Sequence, residues 1–376
     1  MASIRVGQSF HQKSLNCPMH PSKPTPNEQW ANHQTPLIRN CWYVAALSSE
    51  VTRELLERTL LNTAVVMYRR LDGSPVVMDN RCPHRSFPLS KGRLDQDNLV
   101  CGYHGMIFNP SGQCLGMPSL SNCPTHARIV SYPVQERGPL IWVWMGDPDL
   151  ADPYNIPDTS WLDSTDWATV GGQFHIRTNY VAMHENLLDQ THFGILHAGA
   201  VGTPEYARSH LDLKVEHDKV FISRVLKNSL PPGIYGHPMK LVGKPVDRYS
   251  DSRFESPAGH IAHARIVDLH PKPDAMAEFR VNITHLFTPE RQNSIHYWWF
   301  NSRDFALEDA DVSDYLHKES QTAYAQDEEA LNWIQATYDS LEAPPHELSF
   351  GPDRPGLMMR KVLLKMAQAE ANSLKP

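Results

Sequence analysis

The sequence has no apolar run long enough to cross a bilayer. Its longest, CWYVAAL at 41–47 and LIWVWM at 140–145, fall far short of the roughly 20 residues a spanning helix needs. The opening stretch MASIRVGQSFHQKSLNCPMHP lacks a continuous apolar segment and a cleavage site, so no secretory signal is expected and the chain is placed in the cytoplasm. Positive charge is not in excess: the formal net charge is -7, with no arginine-rich stripe, which excludes a nucleic-acid or anionic-membrane footprint. Cysteine is scarce too. Six in 376 residues, irregularly spaced, cannot build a disulfide scaffold. Internal repeats and low-complexity tracts are absent.

What is present is an ordinary globular composition, 41% hydrophobic and 20% charged, long enough for two domains. Residues 1–36 are polar and proline-dotted and read as an extended or loosely docked arm. From 37 to 150, short runs rich in Val, Ile, Tyr and Trp alternate with turn clusters, LDGS marking a hairpin and GDPDLADP the end of the unit. This predicts a small all-β domain. From 151 to 376 the pattern mixes: a helical stretch YVAMHENLLDQTHFGILH, strand-like segments KVFISRVL, HARIVDLH, RVNITHLFTPE and SIHYWWFNSR, then a long helical tract over 310–341 and a short closing helix in RKVLLKMAQAEA. The expectation is an α+β chain with an antiparallel sheet and packed helices in its second domain.

Within the first domain, CPHRSFPLSKGRLDQDNLVCGYH places Cys82 and His84 in one short loop and Cys101 and His104 in another. Structural zinc can use two Cys and two His, but zinc spacing groups like with like. Here each loop mixes them. A Rieske [2Fe-2S] centre has two thiolates on one iron and two imidazoles on the other, so each loop must reach both irons. Replacing two thiolates by neutral histidines raises the potential to about -150 to +300 mV, which suits a cluster filled by an upstream donor. Two further C-x-x-H pairs, Cys17/His20 and Cys123/His126, have no C-x-H partner and are read as accidental; Cys41 and Cys114 are read as small buried hydrophobes.

The acceptor for that electron is sought about eighty residues on. ENLLDQTHFGILH carries Asp189, His192 and His197; on a helix Asp189 and His192 share a face, whereas His192 and His197 lie about 140° apart, so the helix is expected to unwind near Gly194. Two histidines and a carboxylate make the facial triad of non-haem Fe(II) oxygenases. The late helix offers Asp327, Glu328 and Glu329 as the carboxylate, and spacing alone does not separate them. Taken singly, a histidine pair on a helix is more often packing, and an acidic run more often a solvated face.

The motifs C-x-H-R, a glycine bend and C-x-Y-H-G, seen as Cys82, His84, Arg85, Gly92, Cys101, Tyr103, His104 and Gly105, with RNCWYVAAL, ENLLDQTHFGILH, HLFTPE and SRDFALEDADV, resemble the oxygenase component of Rieske non-haem iron oxygenases, in the dicamba monooxygenase and vanillate O-demethylase branch. Met106 stands where many relatives carry tryptophan. The resemblance implies a Rieske domain followed by a helix-grip catalytic domain, in a homotrimer where the cluster of one subunit faces the iron of its neighbour. It implies iron on His192, His197 and Asp327, Asp189 bridging a cluster histidine and an iron histidine (His104 and His192 here), Asn186 in support near the iron, and His285 toward a substrate carboxylate, against the plain alternative of a strand histidine satisfied by backbone. It further implies electrons from NAD(P)H through a ferredoxin and/or flavin reductase, and monooxygenation of a substituted aromatic with O- or N-dealkylation and aldehyde release. The alternatives are ring cis-dihydroxylation with the same metals, a Rieske electron carrier without catalysis, and a zinc scaffold.

Overall fold

The computed structural model describes residues 30–120, 126–198, 200–342, 345 and 347–373. The arm over 1–29, and with it Cys17 and His20, lies outside the described residues, as does Cys123. The part of the arm that is described is docked, not loose: Ala31 is buried and exchanges backbone and side-chain bonds with Arg360.

The first half is built of short antiparallel strands. β1 (Trp42–Leu47), β2 (Leu56–Leu60), β3 (Thr63–Arg69) and β4 (Pro75–Asp79) are followed by β5 (Arg93–Asp95), β6 (Asn98–Val100), β7 (Ile107–Phe108), β8 (Cys114–Gly116), β9 (Val134–Arg137) and β10 (Leu140–Trp144). They form three sheets, β1-β10-β9, β2-β3-β4 and β5-β6-β7-β8. LDGS closes the β3–β4 hairpin, with Gly73 at φ +87° supplying the turn. The β5–β8 sheet, the loops on either side of it and one face of the β3–β4 hairpin enclose a small separate core around Tyr68, Met78, Leu89, Leu99, Met106 and Phe108.

The second half has one seven-stranded antiparallel sheet. β11 (Ala168–Ile176), β12 (Asp212–Glu216), β13 (Lys219–Ser229), β14 (Val246–Ser256), β15 (Gly259–Asp268), β16 (Glu278–Arg291) and β17 (Ser294–Arg303) are ordered β11-β17-β16-β15-β14-β13-β12. The helices are α1 (Tyr180–Leu188), α2 (Pro204–Arg208), α3 (Gly233–Gly236), α4 (Ala310–Ser340) and α5 (Arg354–Ser373). β17 is buried on both faces, which is why SIHYWWFNSR is nearly continuous in large side chains. Its alternation sends His296 and Trp298 toward the first half, where His296 Nε2 meets the Thr59 carbonyl at 3.0 Å, and Tyr297 and Trp299 toward α4, where Tyr297 meets the Tyr324 ring edge to face and Trp299 packs tilted against it. The Thr288 hydroxyl donates to Val44 O at 2.6 Å across the same seam.

Two sequence expectations are corrected here. YVAMHENLLDQTHFGILH is not one helix relaxed at Gly194: α1 stops at Leu188, Asp189 is its C-cap, and Thr191–Gly194 form a separate 3-10 turn. Asp189 and His192 therefore do not share a helix face. The Asp189 carboxylate ends the helix by accepting bonds from Thr191 N at 2.8 Å and Thr191 Oγ1 at 2.5 Å, the local competition with helical bonding that aspartate is known for. Cys114 is buried as expected, but it is disulfide-bonded rather than a free thiol.

α5 is longer than the closing helix read from the sequence, and it reaches back to the start of the described chain. Its Glu370 carboxylate accepts the backbone N–H groups of Arg39 at 2.9 Å and Asn40 at 3.0 Å.

Candidate functional site

The two Cys-His loops are near copies of each other. Cys82 N donates to Phe87 O at 3.0 Å and Cys82 O accepts from Ser86 N at 2.9 Å; Cys101 N donates to Met106 O at 2.8 Å and Cys101 O accepts from Gly105 N at 3.0 Å. The fourth residue after each cysteine must turn left-handed, at φ +57° for Ser86 and +71° for Gly105. Gly92, between the loops, lies so close to β6 that a Cβ would sit 2.2 Å from the Val100 carbonyl oxygen. Both thiols are buried and face each other, and burial together with the Cys101 side chain pushes the Cys82 thiol up. The His84 and His104 rings lie 4.6 Å apart at the more exposed edge, with Tyr103 packed on His104.

Among the described residues, the group that brings three ligand atoms within 4.8 Å of one another does not include any of these four. One tetrahedral zinc needs all four close together. An elongated pair of irons, thiolates at the buried end and imidazoles at the exposed end, is what this donor set fits.

The second constellation comes together as a three-residue group. His192 on the 3-10 turn, His197 three residues past it and Asp327 on α4 place one ligand atom each within 4.8 Å of the others. Asp327 Oδ1 is 3.2 Å from His197 Nε2 and 3.5 Å from His192 Nε2. Of the three carboxylates that spacing left open, Asp327 is the buried one and the one that meets both imidazoles; Glu329 is exposed and Glu328 half-buried. His192 Nε2 is buried with no hydrogen-bond partner, an orphan lone pair aimed into the group. The two nitrogens and one carboxylate oxygen match the donor set of a facial triad with positions left open.

The supporting bonds fix this arrangement. His197 Nδ1 is 2.8 Å from Gln326 Oε1, which sets the tautomer that leaves Nε2 free, and Asn186 Nδ2 donates to Asp327 Oδ1 at 3.0 Å. Asn186 stood among the sequence candidates. Gln326 did not, and its one sequence signal is adjacency to Asp327. Burial lowers the His192 pKa; for His197 burial acts the same way, but the Asp327 carboxylate outweighs it and the net shift is upward.

An apolar-lined cavity opens at this group. Asn186, His197, His285, Tyr324 and Asp327 lie at one end, with Leu187, Phe193, Val201, Ile283 and Ala323 along the walls. His285 is in the wall, paired through Nδ1 with Tyr297 Oη at 2.7 Å rather than with backbone, and burial lowers its pKa to about 4, so it is neutral. Behind it His260 and His184 form a buried imidazole pair at 2.7 Å. On the other side of the ligand group, Asp189 and His192 border a separate cleft with Leu348, Pro352 and Arg360.

An all-β domain with a two-Cys, two-His loop pair, joined to a sheet-and-helix domain with a two-His, one-carboxylate group at an apolar cavity, defines the oxygenase component of a Rieske non-haem iron system. Two family models match: the Rieske [2Fe-2S] domain over residues 41–133 and the vanillate O-demethylase oxygenase C-terminal domain over 176–369. The chain is 36% identical to the iron-sulfur subunit of a toluene-4-sulfonate monooxygenase system from Comamonas testosteroni, across 85% of this chain and 91% of that protein. It is 32% identical to a vanillate O-demethylase oxygenase subunit from Pseudomonas sp. (strain HR199 / DSM 7063), across 88% and 95%. The crystal structure of dicamba monooxygenase bound to 3,6-dichlorosalicylic acid superposes with a TM-score of 0.81 at 30% identity, covering 89% of this chain and 99% of that one. This chain belongs to the vanillate O-demethylase family of Rieske oxygenase components, and it is an oxidoreductase.

Proposed function

We propose that this protein is the terminal oxygenase of a multicomponent system that removes an O- or N-alkyl group from a substituted aromatic compound. The observation that carries the reading is the orphaned, buried His192 Nε2 converging with His197 and Asp327 at the end of an apolar cavity. In this reading Cys82, His84, Cys101 and His104 hold the [2Fe-2S] cluster within a domain spanning about 37–150. His192, His197 and Asp327 hold Fe(II) within a catalytic domain from about 151 onward. Bound there, the iron supplies O2 activation.

This chain's residues do the rest. Gln326 and Asn186 hold His197 and Asp327 in ligating pose. The apolar walls exclude water and seat the aromatic ring with its alkyl carbon toward the ligand group. His285, neutral and braced by the Tyr297 hydroxyl, offers its other nitrogen to a polar substituent. The overall balance is one aromatic ether, one O2, two electrons and two protons in; phenol, formaldehyde and water out. The C–H bond of the alkyl group is hydroxylated, and the resulting hemiacetal breaks its C–O bond to release the aldehyde.

The electrons come from NAD(P)H through a ferredoxin and/or flavin reductase, in the cytoplasm. Asp189 borders a cleft open to solvent beside His192, and in a homotrimer this is where a cluster histidine of a neighbouring copy would approach, with Asp189 the bridge between the two. Among the described residues no helix is long and apolar enough to cross a membrane. The test is incubation of reconstituted holoenzyme, reductase, NADH and an aromatic methyl ether. Formaldehyde equimolar with a phenol supports dealkylation, whereas a cis-diol without aldehyde replaces it with dihydroxylation.

A further inference from the structure

Tyr324 stands one turn before Asp327 on α4, its ring in the cavity wall and its hydroxyl donating to Asn301 Oδ1 at 3.3 Å. It is the hub of a set of rings. His285 meets it edge-on at 5.4 Å, Tyr297 at 6.2 Å and the indole of Trp299 at 5.0 Å. Trp299 in turn packs against His317, 5.5 Å away at a 34° tilt, and His317 is exposed. A line of touching rings thus leads from the ligand group to solvent. The ten residues from His317 to Asp327 give it a length of roughly 15 Å along the helix.

Trp299 is fully buried and its place is built into the sheet. β11 sets Gly172 opposite it, and a Cβ at Gly172 would come within 2.8 Å of three indole atoms, so the glycine clears the space the ring occupies. The indole Nε1 has no hydrogen-bond partner. Burying an unpaired N–H is costly, and phenylalanine would fill the same core without that cost. Phenylalanine, however, does not readily give up an electron. Tryptophan and tyrosine are the aromatic side chains most easily oxidised by one electron, and rings in contact exchange an electron rapidly. Trp142 and Trp298 are also unpaired at Nε1, but among the described residues neither touches a ring of the cavity wall.

A substrate C–H bond supplies two of the four electrons that take O2 to water and product oxygen; NAD(P)H supplies the other two. With the cavity empty, the two electrons of the C–H bond are missing, and the nearest oxidisable groups are the ligands and the Tyr324 ring.

We propose that Tyr324, Trp299 and His317 form an electron lane through which an external reductant of the ascorbate or thiol class, arriving at His317, supplies the missing electrons, so that the protein has a second activity: reduction of oxygen or peroxide to water without substrate. Each passage moves one electron inward. The Tyr324 O–H bond breaks and its hydrogen atom goes to the oxidant at the ligand group. Trp299 returns an electron to Tyr324, which regains a proton from the cavity, and the reductant then restores Trp299 across the His317 ring. Two passages complete the reaction. With peroxide the sum is one hydrogen peroxide, one ascorbate anion and one proton in, two waters and one dehydroascorbate out.

The test uses holoenzyme without substrate, mixed with hydrogen peroxide and freeze-quenched for EPR, with ring-deuterated tryptophan or tyrosine assigning any radical and peptide mass spectrometry mapping oxidised residues. The parent should show a tryptophan radical that ascorbate removes, with one ascorbate consumed per peroxide. Trp299→Phe should shift the signal to a tyrosine radical that persists with ascorbate, and peptides carrying His192 and His197 should gain oxidation. Tyr324→Phe should lose both radicals and oxidise the same peptides. His317→Ala, a change at an exposed site, should keep the tryptophan radical and slow its removal by ascorbate. The cluster's visible spectrum reports folding; should Trp299→Phe not fold, Tyr324→Phe and His317→Ala carry the comparison. A tryptophan radical that survives Trp299→Phe or Tyr324→Phe, equal radical yield after a mild chelator strips Fe(II), or the same oxidation map in parent and variants overturns the proposal. The lane rests on the reading of His192, His197 and Asp327 as iron ligands. Iron held at that group with no ring radical in the parent refutes the lane alone, whereas unchanged iron and unchanged radical in Asp327→Asn refute that reading and the lane with it.

Discussion

Gln326 and Asp327, neighbours on α4, both act on His197: the amide oxygen takes Nδ1 at 2.8 Å while the carboxylate oxygen stands 3.2 Å from Nε2. One helix turn thus sets the imidazole's tautomer and its rotation together. Gln326→Leu should leave all three ligands in place yet weaken Fe(II) retention by about 10- to 100-fold, measured by competition with a calibrated chelator on anaerobic protein. Unchanged retention would show that the bond only packs the helix.

Asp327→Asn should strip the mononuclear site and spare the cluster. The readout is iron against acid-labile sulfide: about three irons per two sulfides in the parent and about two per two in the variant, with the visible spectrum retained. A mild Fe(II) chelator applied to the parent should give the same ratio, since the sulfide-bridged irons of the cluster leave far more slowly. Loss of the spectrum in the variant would place Asp327 in folding rather than in iron binding.

Asp189→Asn keeps an oxygen able to accept from both Thr191 donors, so the end of α1 should persist and both metals stay bound. What should fall, by about 10- to 100-fold, is the rate at which a pre-reduced cluster is reoxidised in a single turnover with substrate and O2. A normal rate at normal iron content rules out the bridging role.

The buried histidines make stability depend on pH. Burial lowers His184 to about 3 and His285 to about 4, and pushes His260 well down as well. The unfolded chain protonates these groups below about pH 6.5 while the native state keeps them neutral, so the unfolded state holds more protons in that window and stability falls as the pH drops from about 6.5 toward 4. His184, fully buried, accounts for about 2 kcal/mol at pH 5. The melting temperature should therefore drop between pH 7 and 5, and His184→Leu, though less stable at pH 7, should show a shallower slope. Parallel slopes would contradict this.

Legibility in the sequence followed the range of the interactions. The Cys-His loops were readable because the backbone bonds that close each one, down to the left-handed Ser86 and Gly105, lie within five residues of its cysteine. The strands β13, β15, β16 and β17 and the helix from 310 were readable because their alternation and periodicity are local, whereas β14, VDRYSDSRFES, is too rich in polar residues on both faces to show its alternation. The end of α1 was misplaced by several residues, since Gly194 was an obvious weak point whereas Asp189 stops the helix through a side-chain bond that competes with it. Spacing alone left Asp327, Glu328 and Glu329 equivalent; the family resemblance pointed to Asp327, and the physical reason, that it faces two histidines 130 and 135 residues earlier, is a long-range fact.

The bonds from Glu370 to the backbone of Arg39 and Asn40, and from Arg360 to Ala31, make the final helix a latch on the beginning of the chain. During synthesis the segment leading into β1 emerges more than 300 residues before the helix that fastens it. A chain lacking α5 has a first strand without this anchor, so the stability of β1 is set in part by a helix more than 300 residues away in sequence.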